Sequence, residues 1–189
     1  MRLPAVLTRL DLPVAELSAL RLDGEAFALD EAVIAVDEPE LAVNRALALA
    51  GVLDERMTAE LDTALWVWGC LADAPPVHTA SIRRDARGRL LSTTRIALRE
   101  TTVPDEHLVD FGGVRVASRA RTAVDVALLE EVSSGRLAAA TQLMGAPGVR
   151  DGALALAVGL GHTPGKRRAL ERLREWSRAA DRRAGICPP

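Results

Sequence analysis

The sequence predicts an α+β protein with a reduced winged-helix-like N-terminal part, followed by a small β-sheet packed with C-terminal helices. Apolar residues recur at helical spacing before Pro75 and again after Ser118. Between these regions, short apolar runs separated by glycine and charged turns are typical of β-strands. The length of 189 residues is enough for one substantial hydrophobic core or for two small ones.

The N-terminal part begins with a short helix, expected over residues 13–22, where apolar residues stand three apart before Gly24. The next segment, "EAFALDEAVIAVDEP", has two apolar runs around an acidic pair and predicts a β-hairpin. A helix followed by a hairpin is the final part of a winged helix. Two further helices are expected in "PELAVNRALALAG" and "TAELDTALWVWGCL".

The clearest break in the chain is Pro75–Pro76, and it divides the sequence into predicted domains 1–74 and 75–189. The alternative is an earlier boundary at Pro39. After it, "VHTASIRR" and "RLLSTTRIALRE" are strand candidates joined at "DARG", and "HLVDFGGVRVAS" supplies two short strands. Four helices complete the prediction, at 119–131, 136–144, 149–158 and 164–183.

Charge is distributed unevenly along the chain, although the net charge is only −2. Residues 1–65 contain 5 Arg against 13 acidic residues, a balance of −8, whereas residues 126–189 contain 10 basic against 6 acidic residues, a balance of +4. An acidic N-terminal part and a basic C-terminal part predict different partners for the two halves of the chain.

No catalytic set is recognisable in the sequence, so we expect no enzyme, no cofactor and no metal ligand. "GHTPGKRR" lacks the spacing of a phosphate-binding loop, and we expect Thr163 to cap a helix that begins at Pro164. The single lysine, Lys166, does not follow a carboxylate at the spacing of a nuclease site, and no histidine stands in a compact metal-ligand motif. A G-x-S-x-G motif is also absent from the sequence.

The longest uncharged, mainly apolar stretches are "ALWVWGCLA" and "GALALAVGLG". Both are far shorter than the roughly 20 residues of a membrane-spanning helix. Asp11 also interrupts any signal-peptide core near the N-terminus. The protein is therefore expected to be cytoplasmic and to have no membrane partner.

The stretch "GVRVASRARTAVDVALLEE" predicts a strand, a tight corner and a helix. Ser118 is placed to cap the helix, and Arg121 and Asp125 are placed to pair one turn apart. In the structural interpretation, this pair locks the helix onto the strand. In the functional one, the arginine presents its guanidinium to a phosphate or to a partner's carboxylate. Arg115 and Arg119 are the expected outward contacts.

The same stretch resembles a segment of AbiEi-type antitoxins (abortive infection, type IV toxin–antitoxin systems). In that family a strand with the pattern G-x-x-V-T-S-P-x-R-T continues into a helix with x-x-D-L-A, and "TALWVWG" is similar to an earlier family helix, S-A-A-x-L-x-G. The resemblance covers roughly residues 10–175 in order. The residues that match the corner motif are Gly113, Val116, Ser118, Arg121, Thr122, Asp125 and Ala127.

The resemblance implies a two-part, non-enzymatic antitoxin. Its winged helix would bind the operator of its own operon, and its second domain would counter a nucleotidyltransferase-like toxin without stable sequestration. Ser118, Arg121, Thr122 and Asp125 would be family motif residues with a structural role. The alternative hypothesis is a DNA-binding transcriptional regulator that has no toxin partner.

The charges place any DNA contact away from the N-terminus, because phosphates repel a segment with a balance of −8. The alternative for the last helix is a solvated amphipathic helix, and Trp66 and Trp68 are expected in the core rather than in a stacking platform. The expected nucleic-acid or partner contacts are Arg83, Arg84, Arg87, Arg89, Arg95, Arg115, Arg119, Lys166, Arg167, Arg168 and Arg172.

Overall fold

The computed structural model describes residues 4–82 and 94–184. The predicted α+β class is confirmed, because these residues form α-helices together with one three-stranded and one five-stranded sheet. The strands are β1 (Val6–Leu7), β2 (Ala26–Leu29), β3 (Ala32–Ala35), β4 (Met57–Ala59), β5 (His78–Ile82), β6 (Ile96–Glu100), β7 (Leu108–Phe111) and β8 (Val114–Ala117). The helices are α1 (Val14–Leu22), α2 (Ala42–Ala48), α3 (Leu61–Val67), α4 (Arg119–Leu128), α5 (Ser134–Met144), α6 (Val149–Gly159) and α7 (Lys166–Ala184).

The three-stranded sheet is antiparallel, in the order β1-β3-β2. Its β2–β3 hairpin was predicted, whereas β1 was not, because two residues are too short to show an alternating pattern. The hairpin turn is Asp30–Glu31, and Asp30 adopts a left-handed φ of 56°, which aspartate tolerates better than most residues. Helix α1 packs beside this sheet and fully buries only Leu17.

The five-stranded sheet has the order β6-β5-β4-β8-β7, with β4 at its centre. The sequence placed residues 58–60 at the start of a helix, and this prediction is wrong: β4 pairs with β5 and β8, and the helix begins only at Leu61. Pairing on both sides outweighs the helical propensity of three residues. The sheet contains strands from both sides of residue 75, while the division into domains 1–74 and 75–189 stays a prediction.

Strands β5 and β6 pair in parallel, and β7 and β8 form the predicted antiparallel hairpin. The "DARG" connection between β5 and β6 lies outside the described residues. A parallel pair needs a longer connection than a tight turn provides, so β5 and β6 are not the two arms of a simple hairpin.

Helix α4 lies at the centre of the C-terminal core and is packed by α5, α6 and α7. Val124, Ala153, Leu173 and Trp176 are buried at these contacts. Helix α7 begins at Lys166 rather than Pro164, because Gly165 has a φ of +79° and its carbonyl accepts the first helical bond, from Ala169 N–H. The Thr163 cap was therefore a wrong prediction.

The expectation that Trp66 is a core residue is confirmed, since its side chain is buried among α2, β8 and the first sheet. Trp68 is partly buried, and its indole N–H donates to Ala117 O at 2.9 Å. Among the described residues, no helix combines the length and the apolar composition needed to cross a bilayer.

Candidate functional site

The corner between β8 and α4 is held by its own polar side chains. Ser118 caps α4, because its hydroxyl accepts a hydrogen bond from Arg121 N–H at 3.3 Å, as the sequence predicted. The buried Thr122 hydroxyl lies 3.1 Å from Ala117 O and 2.9 Å from Ser118 O, the two carbonyls to which it can donate. The hydroxyl groups of the corner are thus engaged by the backbone around them.

Arg121 and Asp125 form a close ion pair on the inner side of α4. Arg121 Nε lies 2.8 Å from Asp125 Oδ1, and the two side chains are only 13% and 7% exposed. Burial raises the pKa of Asp125 above its usual value, although the charge of Arg121 opposes that shift. The guanidinium is committed to its neighbour rather than directed at solvent.

A second buried carboxyl, that of Glu60, lies near this pair. Glu60 directly follows β4 and is 1% exposed; its Oε1 accepts a hydrogen bond from Arg99 at 3.1 Å. Burial raises its pKa, Arg99 lowers it, and the negative charge of Asp125 raises it further. Glu60 Oε2 has no partner with hydrogen-bond geometry, and neither does the buried Ser81 hydroxyl, although this hydroxyl is near enough to lower the Glu60 pKa.

These groups form a polar network in which Arg99, whose side chain is 45% exposed, connects β6 to the buried Glu60 after β4, and the charges of the α4 pair act on Glu60 through space. Sequence reasoning did not foresee that Glu60, Ser81 and Arg99 meet, because they are far apart in the chain and only the pairing of β4, β5 and β6 brings them together. The available signal was an acidic residue inside the apolar segment "MTAELDTALW". Within the part of the chain that the structure describes, no group of three or more His, Cys, Asp or Glu side chains is arranged to hold a metal ion.

A separate polar joint fixes the hairpin turn of the first sheet to the second sheet. The Asp30 side chain is 3% exposed; its Oδ2 lies 3.0 Å from His78 Nε2, and its Oδ1 accepts a hydrogen bond from Arg95 at 2.6 Å. These contacts hold the pKa of Asp30 below its usual value, against the opposing effect of burial. The turn of the hairpin is therefore docked on β5 and its neighbour β6.

The same joint contains a hydroxyl, an imidazole and a carboxylate in sequence, since Thr63 Oγ1 lies 3.4 Å from His78 Nδ1. This order of groups is that of a nucleophile, a base and an orienting acid. However, Thr63 and His78 have no exposed surface, and the Thr63 hydroxyl already accepts a hydrogen bond from Thr79 N–H at 2.8 Å. The arrangement stabilises the junction and presents no nucleophile to a substrate.

The predicted contact arginines of the β region have diverse surroundings. Arg83, Arg84, Arg87 and Arg89 lie outside the described residues. Arg95 belongs to the Asp30 joint described above. Arg115 donates to Glu55 O at 2.6 Å, and the exposed Arg119 lies over the ring of Trp68, 4.4 Å from its centroid.

The basic residues of α7 divide into two groups, a distinction that the sequence did not reveal. Lys166 donates to Val158 O and Leu160 O at the end of α6, and Arg168 donates to Leu128 O. Arg172 donates to Ala127 O at 3.1 Å, to Glu130 O at 3.0 Å and to Leu129 O. Lys166 and Arg172 are partly buried against these carbonyl groups, which helix ends leave without donors, whereas Arg168 remains exposed. Their role as nucleic-acid or partner contacts stays a prediction.

Arg167 differs from these residues because its side chain is 95% exposed and pairs with the carboxylate of Glu171 one turn away. Arg174 and Arg178 are also exposed. These three arginines lie at intervals of seven and four residues and therefore share one face of α7. This outward face carries three of the exposed arginines of α7, together with the exposed carboxylate of Glu171.

The surface of the N-terminal part is apolar as well as acidic. Of the eleven large hydrophobic residues that are exposed within the described ranges, seven lie between Leu10 and Val43. A groove of about 430 Å³ runs between α1 and β2, with Leu22 and Phe27 in its lining. Leu22 and Phe27 thus share one exposed apolar groove, and exposed apolar surfaces are characteristic of interaction sites.

Comparison with known proteins adds no family assignment. No protein-family model matches the chain, and no curated protein matches it at a significant level. The likeness to AbiEi-type antitoxins therefore depends on the corner motif around Ser118 and on the "TALWVWG" segment alone.

Proposed function

We propose that this chain is a non-enzymatic, antitoxin-like protein that counters a nucleotidyltransferase-like toxin. One observation carries the proposal: the motif residues of the resemblance, Ser118, Arg121, Thr122 and Asp125, form hydrogen bonds and an ion pair within the corner. A motif with this arrangement maintains a fold and presents no reactive group to a substrate. A role in binding another protein agrees with it better than catalysis does.

The surface of the N-terminal part supports the choice of a protein partner over DNA. In a winged helix, the helix before the hairpin enters the major groove, where positive charge is needed. Helix α1 instead exposes Val14 and Leu22 and carries Glu16 against a single Arg21. The hairpin turn is also docked on β5 through Asp30, so it is not free to contact the phosphate backbone of DNA.

Co-expression tests the proposal. A neighbouring nucleotidyltransferase-like gene should arrest growth when expressed alone, and this chain should restore growth when expressed with it. Val124→Asp, which places a charge in the core, is the matched loss-of-fold control and should not restore growth. Failure of the folded wild-type chain to rescue cells from a demonstrably toxic neighbour would refute the proposal.

A second candidate function, a DNA-binding transcriptional regulator without a toxin partner, is favoured by one observation, the outward face of α7. Arg167, Arg174 and Arg178 are exposed and share a face, an arrangement suited to phosphate contacts. Fluorescence anisotropy against the upstream DNA and a scrambled duplex, over a salt series, tests this function. Equal affinity for the two duplexes would contradict sequence-specific regulation.

A further inference from the structure

Helix α1 is held to the rest of the protein by very few contacts. Leu17 is its one fully buried residue, and Leu20 is partly buried. A nine-residue helix has little stability of its own and normally depends on packing along a whole face. Most of the surface of α1 is therefore left uncovered by the rest of the protein.

The residues that α1 turns to solvent are small or apolar. The face of α1 opposite Leu17 consists of exposed residues spaced three and four positions apart. We call this face the α1 surface; its residues are Ala15, Ser18, Ala19 and Leu22. Small side chains allow a second backbone to approach closely, while Leu22, 87% exposed, offers an apolar anchor. The groove beside β2 extends this surface as far as Phe27.

The charges beside the α1 surface define the chemistry of what can cover it. Glu16, Asp23 and Glu25 are exposed around α1, and Arg21 is the one cation of the helix itself. The flanking Arg9 is paired with Glu31. This excess of carboxylates repels nucleic acid and anionic lipid, and it attracts a segment that carries lysine or arginine beside apolar side chains.

We propose that the α1 surface docks a basic, apolar segment of a protein partner, with Leu22 as the central contact and Glu16 and Asp23 as the charges that select the partner. This inference rests on the proposed function, and it adds a toxin contact in the N-terminal part to the second domain, to which the resemblance assigns the countering role. A protein that handles nucleotides or RNA presents basic surfaces to phosphate, and such a surface is complementary to this one. The small area of α1 corresponds to a transient contact rather than a permanent complex.

Two synthetic helical peptides provide the direct test. They share the same leucine positions, and one has lysine at every polar position whereas the other has glutamate. Fluorescence anisotropy with the full chain should show binding of the lysine peptide, weakened by salt, and no binding of the glutamate peptide. The inference is overturned if neither peptide binds or if the two bind equally.

Matched variants locate the contact. Leu22→Arg should weaken binding of the lysine peptide by about tenfold or more, as expected for a central interface residue. Leu137→Arg makes the same exchange at an exposed leucine of α5 and should leave binding unchanged. Equal binding of the lysine peptide by Leu22→Arg and the wild type would show that the α1 surface is not the binding site. Self-association of the wild type, abolished by Leu22→Arg, would also overturn the inference, because the occupant would then be a second copy.

Growth rescue separates this inference from the proposed function. If the wild-type chain rescues cells from the toxin and Leu22→Arg rescues equally well, the docking surface is wrong and the function stands. If the wild type fails to rescue, the proposed function is wrong, and the peptide measurements alone decide what the surface binds. Loss of rescue by Leu22→Arg, with rescue retained by Leu137→Arg, would support both.

Discussion

Arg121 Nε lies 2.8 Å from Asp125 Oδ1, across one turn of α4, and both side chains are almost fully buried. The pair combines two charges that are each costly to bury alone. Since burial raises the pKa of Asp125, the folded protein binds a proton at this carboxyl more tightly than the unfolded chain does. Burial therefore disfavours the charged form of Asp125, and Arg121 offsets part of that cost.

Removal of the cation should be the more damaging change. Arg121→Ala leaves the Asp125 carboxylate buried without its partner, and we expect a loss of about 3 kcal/mol in the free energy of unfolding at pH 7. Asp125→Asn resembles the protonated carboxyl and should cost less. Urea denaturation of the two variants and the wild type measures this difference. Equal losses, or a larger loss for Asp125→Asn, would contradict this explanation of the corner.

The joint between the two sheets should depend on the charge of Asp30. Asp30→Asn keeps a residue that tolerates the left-handed φ of 56° but weakens the contacts to His78 and Arg95. We expect a loss of about 1–3 kcal/mol, typical of charge-assisted hydrogen bonds. Because the pKa of Asp30 is lowered, its contribution is present above pH 3.8 and disappears as the pH falls through the folded-state pKa.

Chemical denaturation at pH 7 and at successively lower pH values checks this contribution. Glu31→Gln is the matched control at the neighbouring position, where the side chain is 29% exposed, and it should change stability much less. A difference between Asp30→Asn and the wild type that stays constant down to the acid limit would argue against a charge effect.

Glu60 should show the opposite dependence on pH. Its pKa is raised, so the charged carboxyl disfavours folding above about pH 4.5, and this cost is absent well below that value. Glu60→Gln removes this cost, so the stability of the variant relative to that of the wild type should be higher at pH 7 than at pH 4. Thermal unfolding of both proteins at the two pH values measures the change. A variant that loses more stability at pH 7 than at pH 4 would show that the Arg99 contact outweighs burial.

The two groups of basic residues on α7 should separate in stability measurements. Arg172→Ala deprives the carbonyls at the end of α4 of their donor and should cost about 1–2 kcal/mol. Arg174→Ala alters only an exposed side chain of the same helix and should remain within about 0.5 kcal/mol of the wild type. Urea denaturation of the pair gives the comparison. Similar stabilities for the two variants would mean that the cap contributes little.

Much of the fold was predictable because its signals are local. The β2–β3 hairpin and the β7–β8 hairpin each have apolar runs around a turn, and Ser118 stands immediately before a helical pattern. Strand β4 was not predictable in this way. It is three residues long and is defined by pairing with β5 and β8, which are distant in sequence.

The polar network and the roles of the α7 residues were hidden for the same reason. Glu60 meets Arg99 only through the order of the strands, and Arg172 meets the end of α4 only through helix packing. The sequence showed that α7 is positively charged but not which of its basic side chains face solvent. Which arginines cap a helix and which face solvent depends on tertiary contacts, whereas the acidic, apolar character of α1 is local and was visible in the sequence.

The most direct test of the account is growth rescue from the co-expressed nucleotidyltransferase-like toxin by the wild type, Leu22→Arg and Leu137→Arg, with the amount of folded protein measured for each. We predict rescue by the wild type and by Leu137→Arg, and loss of rescue by an equally abundant Leu22→Arg. No rescue by any folded variant, from a neighbour shown to be toxic, would contradict the central claim that this chain acts as an antitoxin-like protein.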